Sequence, residues 1–307
     1  MVSRMGGVRR GIGLLAVAAA LTLVVRADEI TVLFTNDLHA RVGRMDAIGQ
    51  AIEDVREDVE HVLLVDAGDA WHDFRVPVLA CWGAGETVRW MNSVGYDAMA
   101  IGNHEFAIGP RQLAEAADER SFPLLSANTV ALGEMNKPFE ESARLTVGPW
   151  DVLLIGLTTA EFFPAGVFPW MRMEDAGVAL ARSVPEEDRD NPELLIIVLA
   201  HFGVAEAIRV ARSAPWVDLI VTGHTHTPTD APVVAGRTLI VQASPFGQGL
   251  GRIDLTVDDQ GNVADWRLES IPVEGPALGE FAGEGLRRLA GMLVLSAAAF
   301  WFWLSGV

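Results

Sequence analysis

Runs that are apolar almost without a break, HVLLVDA, DVLLIGLTT, ELLIIVLAH and DLIVTG, recur along this 307-residue chain and constrain its fold more than any other feature. A strand with no polar face has no side to show to water, so each run predicts a strand covered on both faces, as in a sheet with helices packed over it. ITVLFTN, AMAIGN, TLIVQAS, RIDLTVD and WRLESIPV complete the strand candidates. Helical patterns lie between them. Met45, Ile48, Ile52 and Val55 recur at helical spacing, and Glu86 to Val94 stops at Gly95. Pro110 opens a helix where proline is tolerated, and Val204 to Ala214 repeats the pattern. This alternation between Ile30 and about Val273 predicts an α/β domain, its last strands following one another as hairpins. Half the residues are apolar, enough for a sizeable core.

The polar residues fall just beyond these strands. Asp37 and His39 follow the first in TNDLHA, Asp69 the second in DAGDAW, and Asn103 and His104 the third in GNHE. His201 follows ELLIIVLA, and His224 and His226 follow DLIVTG in GHTH. Strand carboxyl ends line the ligand site of an open α/β sheet, so five separate segments deliver their polar residues to one place. Carboxylate, imidazole and amide oxygen suit Mn, Fe, Zn or Co, and a shared Asp can bridge two ions. With no cysteine in the set, a structural zinc site is disfavoured. Singly, each motif has an ordinary explanation: a loop Asp-x-His pair, a turn, a hydrogen-bonded core histidine. In this order, each at a strand end, chance is remote.

The net charge of -18 argues against a nucleic-acid polymer as partner, because phosphate backbones need Lys and Arg to displace their counterions. An anionic small substrate needs local positive charge, which bound metal ions supply. Cys81 is the single cysteine, so no intramolecular disulfide forms, and it reads as a small buried or half-buried residue.

The two ends differ in kind from the middle. In residues 1–27, Arg4, Arg9 and Arg10 precede the apolar run GIGLLAVAAALTLVV and a small-residue cleavage site at Val25-Arg26-Ala27, the pattern of a signal peptide or retained N-terminal anchor. Residues 28–273 read as the folded domain, and the Gly-, Pro- and Glu-rich residues 274–286 as a linker. Residues 287–307 form a hydrophobic tail of the length a bilayer span needs, roughly 17 to 25 residues. Phe300, Trp301, Phe302 and Trp303 suit a membrane interface. Arg287 and Arg288 precede the tail, whereas a stop-transfer helix after an exported domain carries its positive charges on the far side, so the tail's orientation stays open. The expectation is an exported, membrane-anchored protein facing the periplasm or the extracellular space.

The ordered set NDLH, GD, GNHE, AH and GHTH resembles the calcineurin-like dinuclear metallophosphoesterases, in the branch of 5′-nucleotidases and UDP-sugar hydrolases. VRWMNSVGYDAMAIGNHEF and FPLLSANTV resemble the same branch, and the likeness covers nearly all of residues 29–273. The resemblance implies a two-sheet sandwich flanked by helices, in four layers α/β/β/α. It also implies two divalent ions (Mn, Zn, Fe, Co or Mg), one held by Asp37, His39, Asp69 and His226 and the other by Asp69, Asn103, His201 and His224, with Asp69 the bridge. His104 would stabilise the phosphoryl group or protonate the leaving oxygen. The implied activity is hydrolysis of a small phosphorylated substrate, a phosphomonoester such as a nucleotide. A same-fold hydrolase of a cyclic nucleotide or thiosulfate conjugate, and a membrane-anchored binding protein that keeps its metals, are the alternatives.

Two departures bear on these expectations. The branch continues GNHE-F-D with an Asp that orients the catalytic histidine, and this chain has Ala107 there, which slows turnover or passes the task to another residue. Typical 5′-nucleotidases carry a further large C-terminal domain whose aromatic residues stack on the base, and where that domain stands this chain reads as a linker and an apolar tail, so the expectation of nucleotide specificity is weakened. Recognition then falls to the domain's own loops. Trp71, Arg75 and Trp82, around the His72 to Ala84 segment, are the candidates, with ordinary loop packing the more common role for such residues.

Overall fold

The structure is a computed structural model, described over residues 29–73, 77–107, 109–132, 138–161, 170–258 and 260–275. The chain runs β1 (Glu29–Thr35), α1 (Met45–Asp58), β2 (Val62–Asp66), α2 (Pro77–Val94), β3 (Ala98–Ala100), α3 (Asn103–Ala107), α4 (Pro110–Asp118) and β4 (Leu124–Leu125). It continues through β5 (Thr129–Ala131), β6 (Ser142–Val147), β7 (Trp150–Thr158), β8 (Met171–Met173), α5 (Ala176–Ser183), α6 (Glu186–Arg189), β9 (Leu194–His201), α7 (Gly203–Ser213) and β10 (Leu219–Thr222). β11 (Val233–Ala235), β12 (Thr238–Gln242), β13 (Gly249–Val257) and β14 (Val263–Pro272) close the described chain. All nine strands read from the sequence are present, and α1 buries the four residues its spacing singles out, Met45, Ile48, Ile52 and Val55.

Two six-stranded sheets form, ordered β14-β13-β1-β2-β3-β4 and β11-β12-β10-β9-β7-β6. Strand alternation assigns their faces. On β1, Leu33 faces α1, α2 and α4, packing with Ile48, Ile52, Met91 and Leu113. Val32 and Phe34 point the other way and meet Leu154, Ile197, Leu199 and Val221 of the second sheet. The second sheet's outer face, with Ile155, Ile196 and Val198, packs on Leu180 of α5 and Val210 of α7. The layers are therefore helix, sheet, sheet, helix, and the inner strands are apolar on both faces because both are covered. β13 and β14 pair as an antiparallel hairpin at the edge of the first sheet, as their sequence pattern predicts.

Among the described residues no helix is long and apolar enough to cross a membrane. The leader at 1–27 and the tail at 287–307 lie outside the described residues, as does the linker from residue 276 onward.

Candidate metal centre

The two sheets bring their strand carboxyl ends together. Thr35 pairs with Asp66 and Asp66 with Met99, so β1, β2 and β3 end side by side. In the second sheet, Thr158 pairs with His201 and Ala200 with Thr222. Backbone bonds then lash the loops: Asp37 N–H donates to Gly68 O at 2.9 Å, His39 N–H to Asp69 O at 2.9 Å and Phe246 N–H to Asp37 O at 2.7 Å. Asn36 exchanges bonds with the Ala243 backbone and donates to Asp37 Oδ2 at 2.8 Å. His201 Nδ1 reaches across the sheets to Ala67 O at 2.8 Å.

Backbone strain is concentrated at this convergence. Among the described non-glycine residues, positive φ occurs at Asp37, His39, Ala40, Asp69, His224, His226 and Phe246. Five of these seven are ligand candidates from the sequence. A left-handed residue outside glycine costs on the order of 1–3 kcal/mol, and such residues gather where function holds them in place. Gly102 answers a different demand: a Cβ there would stand 2.1 Å from Asp69 Oδ1, so the backbone of GNHE can approach that carboxylate only without a side chain.

Six of the seven ligand candidates, Asp37, His39, Asp69, His201, His224 and His226, lie in this cluster. Donor atoms of Asp37, His39 and His226 fall within 4.8 Å of one another, as do those of Asp69, His201 and His224. His104 joins His39 and Asp69 in a third such group. His39 Nε2 lies 3.2 Å from His226 Nε2 and 4.0 Å from Asp69 Oδ2, and His226 Nε2 lies 3.3 Å from Asp37 Oδ1. His201 Nε2 comes within 3.1 Å of Asp69 Oδ2, but off the hydrogen-bond direction, which leaves an ionic contact and an unbonded nitrogen. Asn103 Oδ1 is buried with no hydrogen-bond partner. Lone pairs of oxygen and nitrogen thus face one another with few protons between them, and an orphaned buried amide oxygen faces the same demand. A divalent cation satisfies such a donor set, so the residues fit the ions that the motifs imply.

Outward hydrogen bonds fix which ring nitrogen each histidine presents. His39 Nδ1 and His104 Nδ1 both meet the His72 carbonyl at 3.2 Å, and His201 Nδ1 meets that of Ala67. A carbonyl accepts only, so the protons sit on Nδ1 and the Nε2 lone pairs turn inward. Burial, aided by the His104 ring, holds His39 down at about 4 despite Asp69, so it stays neutral and able to donate its lone pair. Burial opposes charge on His201 too, but Asp69 and then Asp37 overcome it and lift that imidazole to about 10, so with no ion bound its Nε2 carries a second proton toward Asp69, the proton that a cation would displace to free the lone pair. Asp69 shows the reverse: burial resists its ionisation, and His201, His104 and His39 together hold it below the usual carboxylate range.

Residues 30–228 match the family of calcineurin-like phosphoesterases. The chain belongs to that family. The 5′-nucleotidase of Gloydius brevicauda venom is 32% identical over 300 residues, spanning 82% of this chain and 49% of its own length. That of Bos taurus is 31% identical over 291 residues, spanning 81% of this chain and 50% of its own. The crystal structure of the 5′-nucleotidase precursor from Thermus thermophilus superposes with a TM-score of 0.67 at 26% identity, over 87% of this chain and 59% of that one. The chain spans about half the length of the curated relatives it matches. The four-layer fold is the one these phosphoesterases share, and the family's divalent metals suit the donor groups assembled here.

Three residues of this phosphoesterase were not singled out by sequence. Glu105 is wholly buried and accepts N–H bonds from Asp69 at 3.0 Å, Trp71 at 3.0 Å and Gly102 at 2.8 Å, tying the loops that carry Asp69 and Asn103. Burial and then the Asp69 charge push its carboxyl up to about 7 against the pull of those donors. His72 supplies the carbonyl that orients both His39 and His104, a bond available to His104 without the carboxylate absent at Ala107, which is exposed at the end of α3. Glu161, beyond β7, approaches His224 Nε2 at 3.1 Å. The strand-end rule that picked out the ligand candidates also marks the TTAE after DVLLIGL.

Trp71 is fully buried among α1 and α2 side chains, so it packs in the core and does not face substrate. Arg75, and the side chains of Trp82 and Cys81, lie outside the described residues. A cleft of 280 Å³ adjoins the cluster at Glu161 and Phe202, walled also by Asn128, Thr158, Glu174 and Arg209.

Proposed function

We propose that this chain is an exported, metal-dependent hydrolase of phosphomonoesters, with a nucleotide the first candidate substrate. The observation that carries the reading is the convergence of Asp37, His39, Asp69, His201, His224 and His226, with Asp69 within reach of both histidine groups, together with the buried and unbonded amide oxygen of Asn103. On this reading Asp37, His39, Asp69 and His226 hold one divalent ion, and Asp69, Asn103, His201 and His224 the other. The 5′-nucleotidase relatives support the substrate class, and the apolar leader and tail support export and membrane attachment.

Two divalent ions held by these residues would supply Lewis acidity for the phosphoryl oxygens and a nucleophilic water. The chain's own residues do the rest. His39 and His201 are held with Nε2 inward by their carbonyl partners, and Asp37 is fixed by Asn36 and the His224 N–H. His104 donates its backbone N–H to Asp69 Oδ1 at 2.8 Å, and its Nε2 stands 3.8 Å from Asp69 Oδ2. With Nδ1–H committed to the His72 carbonyl, Nε2 is the atom that faces the centre, and only as the imidazolium does it stabilise the phosphoryl group or hand a proton to the leaving oxygen. The adjoining cleft carries Glu161, Glu174, Asp175 and Glu206 against Arg209, so it suits the polar alcohol portion of an ester better than its phosphate.

Purified full-length protein, supplied with Mn²⁺, is assayed against nucleoside monophosphates and other phosphomonoesters, cyclic nucleotides and thiosulfate conjugates. At least one phosphomonoester is expected to turn over, and chelation to abolish the activity. Turnover of a sulfur conjugate alone would overturn the phosphatase reading.

A further inference from the structure

Glu161 is held in position from two sides. Its backbone N–H donates to Thr159 Oγ1 at 3.1 Å, in a turn directly after the last residue of β7, and Thr159 is itself buried. β7 runs parallel to β9 with Thr158 opposite His201, so the turn lies at the same rim that delivers His201 and His224. From there the carboxylate meets His224 Nε2 at 3.1 Å. The other candidate ligands whose outward ring nitrogen has a partner, His39 and His201, rest on backbone carbonyls through Nδ1. His224 instead meets a side chain, and through Nε2.

We propose that Glu161 is a positioning residue for His224: its carboxylate accepts the Nε2 proton, fixes the tautomer and aims the Nδ1 lone pair at the ion shared with Asp69, Asn103 and His201. This rests on the reading of His224 as a ligand. An outer carboxylate on a metal-bound imidazole fixes the ring and raises its basicity, and loss of such a partner typically weakens metal binding about 10–100-fold. Glu161 is mostly solvent-exposed, with a side-chain exposure of 76%, so its side chain contributes little to the core. Its removal is therefore expected to act on the ion and not on the fold.

Mn²⁺ is titrated into the metal-free full-length protein by calorimetry, for wild type, Glu161→Ala, Glu161→Gln and His224→Ala, alongside melting curves and ¹⁵N spectra of the histidine rings. Glu161→Ala is expected to weaken one Mn²⁺-binding step about tenfold or more, and to leave the other step and the metal-free melting temperature unchanged. Glu161→Gln, whose amide oxygen still accepts, keeps most of the affinity. In wild type the His224 proton sits on Nε2. Unchanged Mn²⁺ isotherms in Glu161→Ala, a joint fall of both steps with the melting temperature, or a His224 proton on Nδ1 would each overturn the proposal. If His224→Ala weakens one step and Glu161→Ala none, only the role of Glu161 fails. If His224→Ala itself changes nothing, the underlying ligand assignment fails.

Discussion

Asp69→Asn is expected to lose phosphoester hydrolysis by roughly 10³-fold or more and to bind at most one divalent ion in place of two, because several kcal/mol of transition-state charge stabilisation goes with the second ion. The residue sits where both groups of histidines meet, with His201 at 3.1 Å and His39 at 4.0 Å from the same oxygen. The amide keeps the volume and the oxygen that accepts the His104 backbone N–H, so the loop survives. What it removes is the negative charge that holds His201 up at about 10 and the second oxygen facing the ring nitrogens. Metal analysis and kcat on the same preparation check this. A variant with two ions and undiminished turnover would remove Asp69 from its bridging role.

His104→Ala is expected to lower kcat by about 10²–10⁴, the usual worth of a positioned proton donor, and to leave two ions bound. Its Nε2 lies close enough to Asp69 and His39 to count among possible metal donors, so the two measurements must be made together. Loss of activity with metal retained assigns His104 to proton transfer or phosphoryl binding. Loss of metal in proportion to activity makes it a ligand. Ala107 does not remove the orienting bond on its own, since the His72 carbonyl already engages His104 Nδ1.

The inner strands were legible because burial on both faces leaves a run with no polar position. Leu33 and Phe34 sit on opposite faces of β1, yet both are buried, one under helices and one against the second sheet. β6, SARLTV, escaped because it is a half-exposed edge strand with mixed polarity, and β4, β5, β8 and β11 because two or three residues carry no period. The candidate ligand set was legible for a related reason: strand ends fall at fixed places in sequence, and Asp, His and Asn at those places have few other uses in common.

Supporting residues were harder to find because their work lies in backbone geometry. Nothing in GNHE says that Glu105 turns back to accept from Asp69 and Trp71, and nothing in DAWH says that the His72 carbonyl serves two imidazoles. The left-handed backbone at Asp37, His39, Asp69, His224 and His226 is likewise a property of the assembled loops. Asp and His tolerate that region better than most residues, but tolerance alone does not announce its use.

Diffraction from crystals grown with Mn²⁺, recorded on both sides of the manganese absorption edge, tests the central claim most directly. Two anomalous peaks are expected, one among Asp37, His39 and His226 and one among Asn103, His201 and His224, with Asp69 touching both. A single peak, or peaks away from these seven residues, would contradict the account.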